Sequence, residues 1–81
     1  MKNNYIVFTG NPSDLEIATH TLSITSALEF NVRPTKFYQK ANKVAVEFSM
    51  VKDFEALFAR FVEKIKLTEY QGKMPCIATL R

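Results

Sequence analysis

Lys36, Tyr38, Lys40 and Lys43 place three ammonium groups and one aromatic ring within a short stretch of the chain. In an extended strand, residues 36, 38 and 40 share one face, and a tight turn at Ala41-Asn42 brings Lys43 back beside them. Such a set suits single-stranded nucleic acid, because lysines neutralise phosphates and release counterions while a ring stacks on a base. The distribution of charge agrees. Residues 1–32 carry one lysine against three acids, whereas from Arg33 onward ten basic residues face five acids, within a net charge of +3. That asymmetry predicts one face suited to a polyanion or an acidic partner.

Other reactive side chains are isolated. His20 is the only histidine and has no second ligand at metal-binding spacing, so a surface or boundary role is expected. Cys76 is the only cysteine, which excludes an internal disulfide and leaves a small, buried strand residue with no paired base. Asp14 with Glu16, and Asp53 with Glu55, fit the first turns of two helices, where carboxylates oppose the positive dipole end. The Gly10-Asn11 loop lacks a second glycine and has Asp14 beside it, which disfavours a phosphate cradle. These absences predict a non-enzymatic protein with no cofactor and no metal.

Six elements must position these groups. Tyr5-Ile6-Val7-Phe8-Thr9 is a β-branched and aromatic run ended by Gly10. Asn11 as N-cap and Pro12 at the first helical position open a helix expected to reach Glu29, with a stripe of Leu15, Ala18, Leu22 and Ser26. Thr35–Lys40 and Lys43–Phe48 form a hairpin. Val44, Val46 and Phe48 alternate, and then Phe54, Leu57, Phe58, Phe61, Val62 and Ile65 recur at helical steps, so strand passes into a helix expected over 50–69 with Ser49 as its cap and with Phe54, Leu57, Phe58, Phe61 and Ile65 buried. Met74–Leu80 completes the set as a final strand.

The order β-α-β-β-α-β closes, with right-handed crossovers, into a four-stranded antiparallel sheet of order 4-1-3-2 with both helices on one face. Pro34 and Pro75 fall in the two predicted edge strands and the central strands contain none, as that topology requires. With 81 residues and 47% hydrophobic content the chain supports one core, and residues 1–81 are expected to form a single α+β domain. No window matches a membrane span and the start leads into a strand, which predicts a complete, soluble, cytoplasmic protein with no membrane contact.

This topology resembles the ferredoxin-like superfold. Val7-Phe8-Thr9-Gly10-Asn11-Pro12 is similar to the first-strand signature of its RNA-recognition-motif branch, and Val46-Glu47-Phe48 followed by Asp53 resembles the end of the third-strand signature. The likeness covers nearly the whole chain as topology and two short segments as sequence. It implies that Phe8 occupies the base-stacking position of the first strand. The third-strand positions that are aromatic in RNA-binding members fall on Lys43 and Ala45, which removes most of a stacking platform. Acylphosphatases share the topology, but Thr9-Gly10-Asn11-Pro12 lacks their arginine. Small ferredoxin-like nucleases want an acid at the end of strand one, where Thr9 and Gly10 stand.

If Val44, Val46 and Phe48 face the helices, Lys43, Ala45 and Glu47 face outward. With them the reading places Lys36, Tyr38 and Lys40 on strand two, and Ile6 and Phe8 on strand one. The leading expectation is therefore a small RNA-binding module, acting as a homodimer, whose site comprises Lys36, Tyr38, Lys40, Lys43 and Phe8. The patch of Ile6, Phe8 and Ala45 is equally suited to a homodimer seam. The alternative is a protein-binding inhibitor or regulator, since the chain resembles in style the small accessory proteins of bacteriophages that inhibit a host enzyme. An effector-binding module of the ACT type, which shares the element order, ranks third.

Overall fold

The computed structural model describes residues 3–49 and 51–80. β1 (Asn3–Thr9), α1 (Pro12–Glu29), β2 (Lys36–Lys40), β3 (Lys43–Ser49), α2 (Phe54–Ile65) and β4 (Cys76–Leu80) follow in that order. The strands form one sheet, β2-β3-β1-β4, with antiparallel pairing throughout. This is the expected ferredoxin-like α+β fold, with β1 and β3 central. Pro34 and Pro75 lie just before the edge strands β2 and β4, where a missing N–H leaves no gap in the central ladders.

The two helices bury their apolar stripes on one face of the sheet. Ile6, Phe8, Val44, Val46 and Phe48 meet Leu15, Ala18 and Leu22 of α1 and Phe54, Leu57, Phe61 and Ile65 of α2. Phe58 is only partly buried, at the edge of this cluster, in contrast to the fully buried position expected for it. Leu28 is also exposed, because it lies off the α1 stripe defined by Leu15, Ala18, Leu22 and Ser26.

α1 starts where its capping residues demand. The Asn11 side chain accepts from Asp14 N at 2.8 Å and Pro12 occupies the first turn. Beyond its C-terminus, Asn31 adopts a positive φ of 53°, a conformation that asparagine tolerates better than most residues. α2 departs from the expected 50–69, and Met50 lies outside the described residues. Its cap is Asp53, whose carboxylate accepts from Ala56 N, while Ser49 remains in β3 and its hydroxyl bonds that of Thr35. At the far end, Leu67 N and Thr68 N bond carbonyls three residues back, and the Thr68 hydroxyl takes Ile65 O at 2.6 Å. Those tighter bonds end the α-helix at Ile65.

A polar clasp joins the start of α1 to the loop before β4. Asp14, buried, accepts from Gln71 N at 2.9 Å, and the Tyr70 hydroxyl lies 2.5 Å from Lys73 O and 3.1 Å from Thr9 O, two carbonyls that share its one hydrogen. Thr9 O also accepts from Lys73 N at 2.9 Å. Burial, and then the charge of Asp14, push the Tyr70 phenol above its ordinary range. On the opposite side, Arg60 reaches from α2 to Glu29 on α1 at 2.5 Å, with Lys64 at 3.5 Å. The Arg60 guanidinium holds the Glu29 carboxyl below the usual carboxylate range.

Candidate nucleic-acid interface

Three cross-strand rows on the sheet face away from the helices hold the residues of interest. Lys36, Glu47, Tyr5 and Ala78 form one, Tyr38, Ala45, Val7 and Cys76 the next, and Lys40, Lys43 and Thr9 the last. Lys36, Tyr38, Lys40 and Lys43 are thus brought to one face, as their spacing predicts. All four are exposed.

Tyr38 is the accessible ring of this face, at 43% exposure. Lys36 Nζ lies 5.1 Å from its centroid, within the range of a cation–π contact. Tyr5 tilts against it with centroids 6.0 Å apart and an interplanar angle of 52°. The Tyr5 hydroxyl donates to Glu47 Oε2 at 2.6 Å, a short bond of the kind a charged acceptor makes. That hydrogen bond, reinforced by burial and by the charge of Glu47, pushes the Tyr5 phenol up to about 12. Tyr5 therefore remains a neutral donor at physiological pH, and its ring is fixed as a wall.

Beside the two tyrosines, whose rings are in contact, lies a shallow basin of about 340 Å³, lined by Tyr5, Val7, Tyr38, Lys43, Ala45 and Ala78. Val7, Ala45 and Ala78 give it a lining of small apolar side chains, which Lys43 adjoins. Aromatic sides, a small apolar lining and one adjoining lysine together can accommodate a flat ring carrying a phosphate.

Phe8 is not part of this face. Its ring is 1% exposed, packed in the core with its centroid 6.0 Å from that of Phe61, and Ile6 is likewise buried. Their partners across β3 are Val44 and Val46, the inward residues of that strand, so the orientation expected for β1 was displaced by one residue. The physical reason is the core itself: its centre takes the larger hydroxyl-free side chains, and a one-residue displacement would have exchanged them for Tyr5 and Val7. The seam expected from Ile6, Phe8 and Ala45 accordingly loses its two largest members.

Tyr5, Val7 and Ala78 were absent from the expected site. Hydroxyl parity could have found the first: in Tyr5-Ile6-Val7-Phe8-Thr9 the two hydroxyl-bearing residues are on the same side, opposite Ile6 and Phe8. His20 is exposed on α1 and Cys76 is exposed on β4, the latter in contrast to the buried strand position expected for it. Among the described residues, no helix is long and apolar enough to cross a membrane.

Fold and site together define a ferredoxin-like α+β protein with an uncovered sheet face bearing lysines and an aromatic basin. No family model matches the sequence, and no curated protein or solved structure shows significant similarity to it.

Proposed function

We propose that this chain is a non-enzymatic module that binds RNA or another single-stranded nucleic acid across the uncovered face of its sheet. The carrying observation is the exposed Tyr38 ring set among Lys36, Lys40 and Lys43 on one face. Single strands offer phosphates for the lysines and unstacked base faces for the ring, whereas a duplex keeps its base faces stacked inside the helix. Phe8 has no part in this binding, and the stacking role passes to Tyr38, with Tyr5 as the basin wall.

Nucleic acid fits this face better than a second copy does. A homodimer seated here would bring Lys36, Lys40 and Lys43 toward like charges, and without Ile6 and Phe8 its apolar centre is reduced to Val7, Ala45 and Ala78. The test is binding of a labelled single-stranded oligonucleotide by the parent and by Tyr38→Ala. Loss of roughly 1–3 kcal/mol with an unchanged salt slope is expected from removing one stacked base. Equal binding by the two proteins would remove Tyr38 from the site.

A further inference from the structure

We infer that the free edge of β2 is a docking site for an extended acidic segment of a protein partner, which adds to the sheet as a fifth strand. The backbone bonds of this docking run along the strand edge and not across the open face, while Lys36 and Lys40, which select its occupant, are shared with the proposed nucleic-acid site.

All five residues of β2 are exposed, on both faces of the sheet. Tyr38 is on the open face, while Phe37, which pairs with the inward Val46, is 45% exposed on the helix side. The helices therefore leave the outermost strand uncovered where a neighbouring strand would lie. In an antiparallel ladder closed by a two-residue turn, alternate residues direct their backbone groups away from the partner strand. In β2, counted from the Lys40–Lys43 rung, these are Phe37 and Gln39. Beside Gln39, a cleft of about 540 Å³ opens between the hairpin and α1, with Leu15, Thr19, His20 and Val44 in its wall. It offers room for a side chain of the added strand.

Charge selects the occupant. An exposed edge strand invites pairing with any extended chain, and lysines on it discourage indiscriminate pairing. Lys36 and Lys40 flank Tyr38 on one face, so a second copy of β2 pairing antiparallel about Tyr38 would put each Lys36 opposite a Lys40. Like charges directly opposite oppose that arrangement, and carboxylates four residues apart on an incoming strand reverse the sign. Backbone bonds would then supply affinity, and the two acids would set register.

The probe is a blocked extended peptide, acetyl-TEVTVET-amide, with acetyl-TKVTVKT-amide as control, followed by amide NMR and hydrogen exchange on the intact chain. Slowed exchange at the Phe37 and Gln39 amides on adding the acidic peptide, and none with the lysine peptide, is the expected result. Gln39→Pro removes an edge donor without touching the β3 ladder, and should weaken the acidic peptide roughly tenfold, the effect of losing about one hydrogen bond. The same variant should bind single-stranded oligonucleotide as the parent does, which separates this site from the open face. Peptide shifts confined to Tyr5, Val7 and Ala45, equal binding of both peptides, or no protection at Phe37 and Gln39 would each overturn the inference. The exchange result on the parent chain decides it even if Gln39→Pro fails to fold.

Discussion

Lys40 and Lys43 stand directly opposite each other on the last rung of the β2–β3 hairpin. Like charges placed so destabilise a sheet pair, while opposite charges contribute roughly 0.2–1 kcal/mol. The hairpin thus carries a small electrostatic cost that a single substitution would relieve. Its presence on the face that also carries Tyr38 is what a polyanion site would produce.

Lys43→Glu should therefore raise stability by up to about 1 kcal/mol while weakening oligonucleotide binding. Urea unfolding and a binding titration on the same preparation check both halves. A variant that loses stability, or binds as before, would separate the charge pair from function.

Phe61→Ala should cost roughly 3–5 kcal/mol, as expected for an aromatic ring with no exposure. Phe58→Ala, on the same helix but only partly buried, should cost less than about 2 kcal/mol. Equal losses at the two positions would contradict the orientation of α2.

Gly72 sits where a Cβ would run into Thr9 O and the Tyr70 ring. Gly72→Ala must displace backbone or break the Tyr70 contacts, and should destabilise by about 1–3 kcal/mol. Thermal or urea unfolding measures it, and a neutral result would mean that the loop before β4 is not clasped to β1.

The Tyr5 phenol gives a pH signature. Its folded value of about 12 lies above the ordinary 10, so the stability it contributes is full below pH 10 and is lost as pH rises toward 12. Tyr5→Phe should flatten the fall in stability across that window, followed by urea midpoints at stepped pH. An unchanged alkaline fall would place the titration elsewhere, for example at Tyr70.

Much of the fold was legible because its signals are local. Asn11-Pro12 fixed the start of α1, the alternation of Val44, Val46 and Phe48 fixed the inward face of β3, and Pro34 and Pro75 marked the edges. β1 was harder. Ile6, Val7 and Phe8 are all apolar, so in β1 period two shows only in the hydroxyls of Tyr5 and Thr9, and the orientation is decided by which side chains the core can hold. α2 was overextended because Lys66 to Glu69 has helical composition, whereas the Thr68 hydroxyl competes for Ile65 O. That the three lysines and Tyr38 share one face was readable from spacing alone. The Tyr5–Glu47 bond was not, since it joins residues far apart in sequence.

Salt dependence of oligonucleotide binding tests the central claim most directly. Each lysine that meets a phosphate of a single strand contributes about 0.7 to the slope of log affinity against log salt. The Lys36→Ala, Lys40→Ala, Lys43→Ala triple variant should bind more weakly than the parent, with a slope smaller by about two. Parent protein with no affinity at about 50 mM salt, or a triple variant with the parental affinity and slope, would contradict nucleic-acid binding by this face.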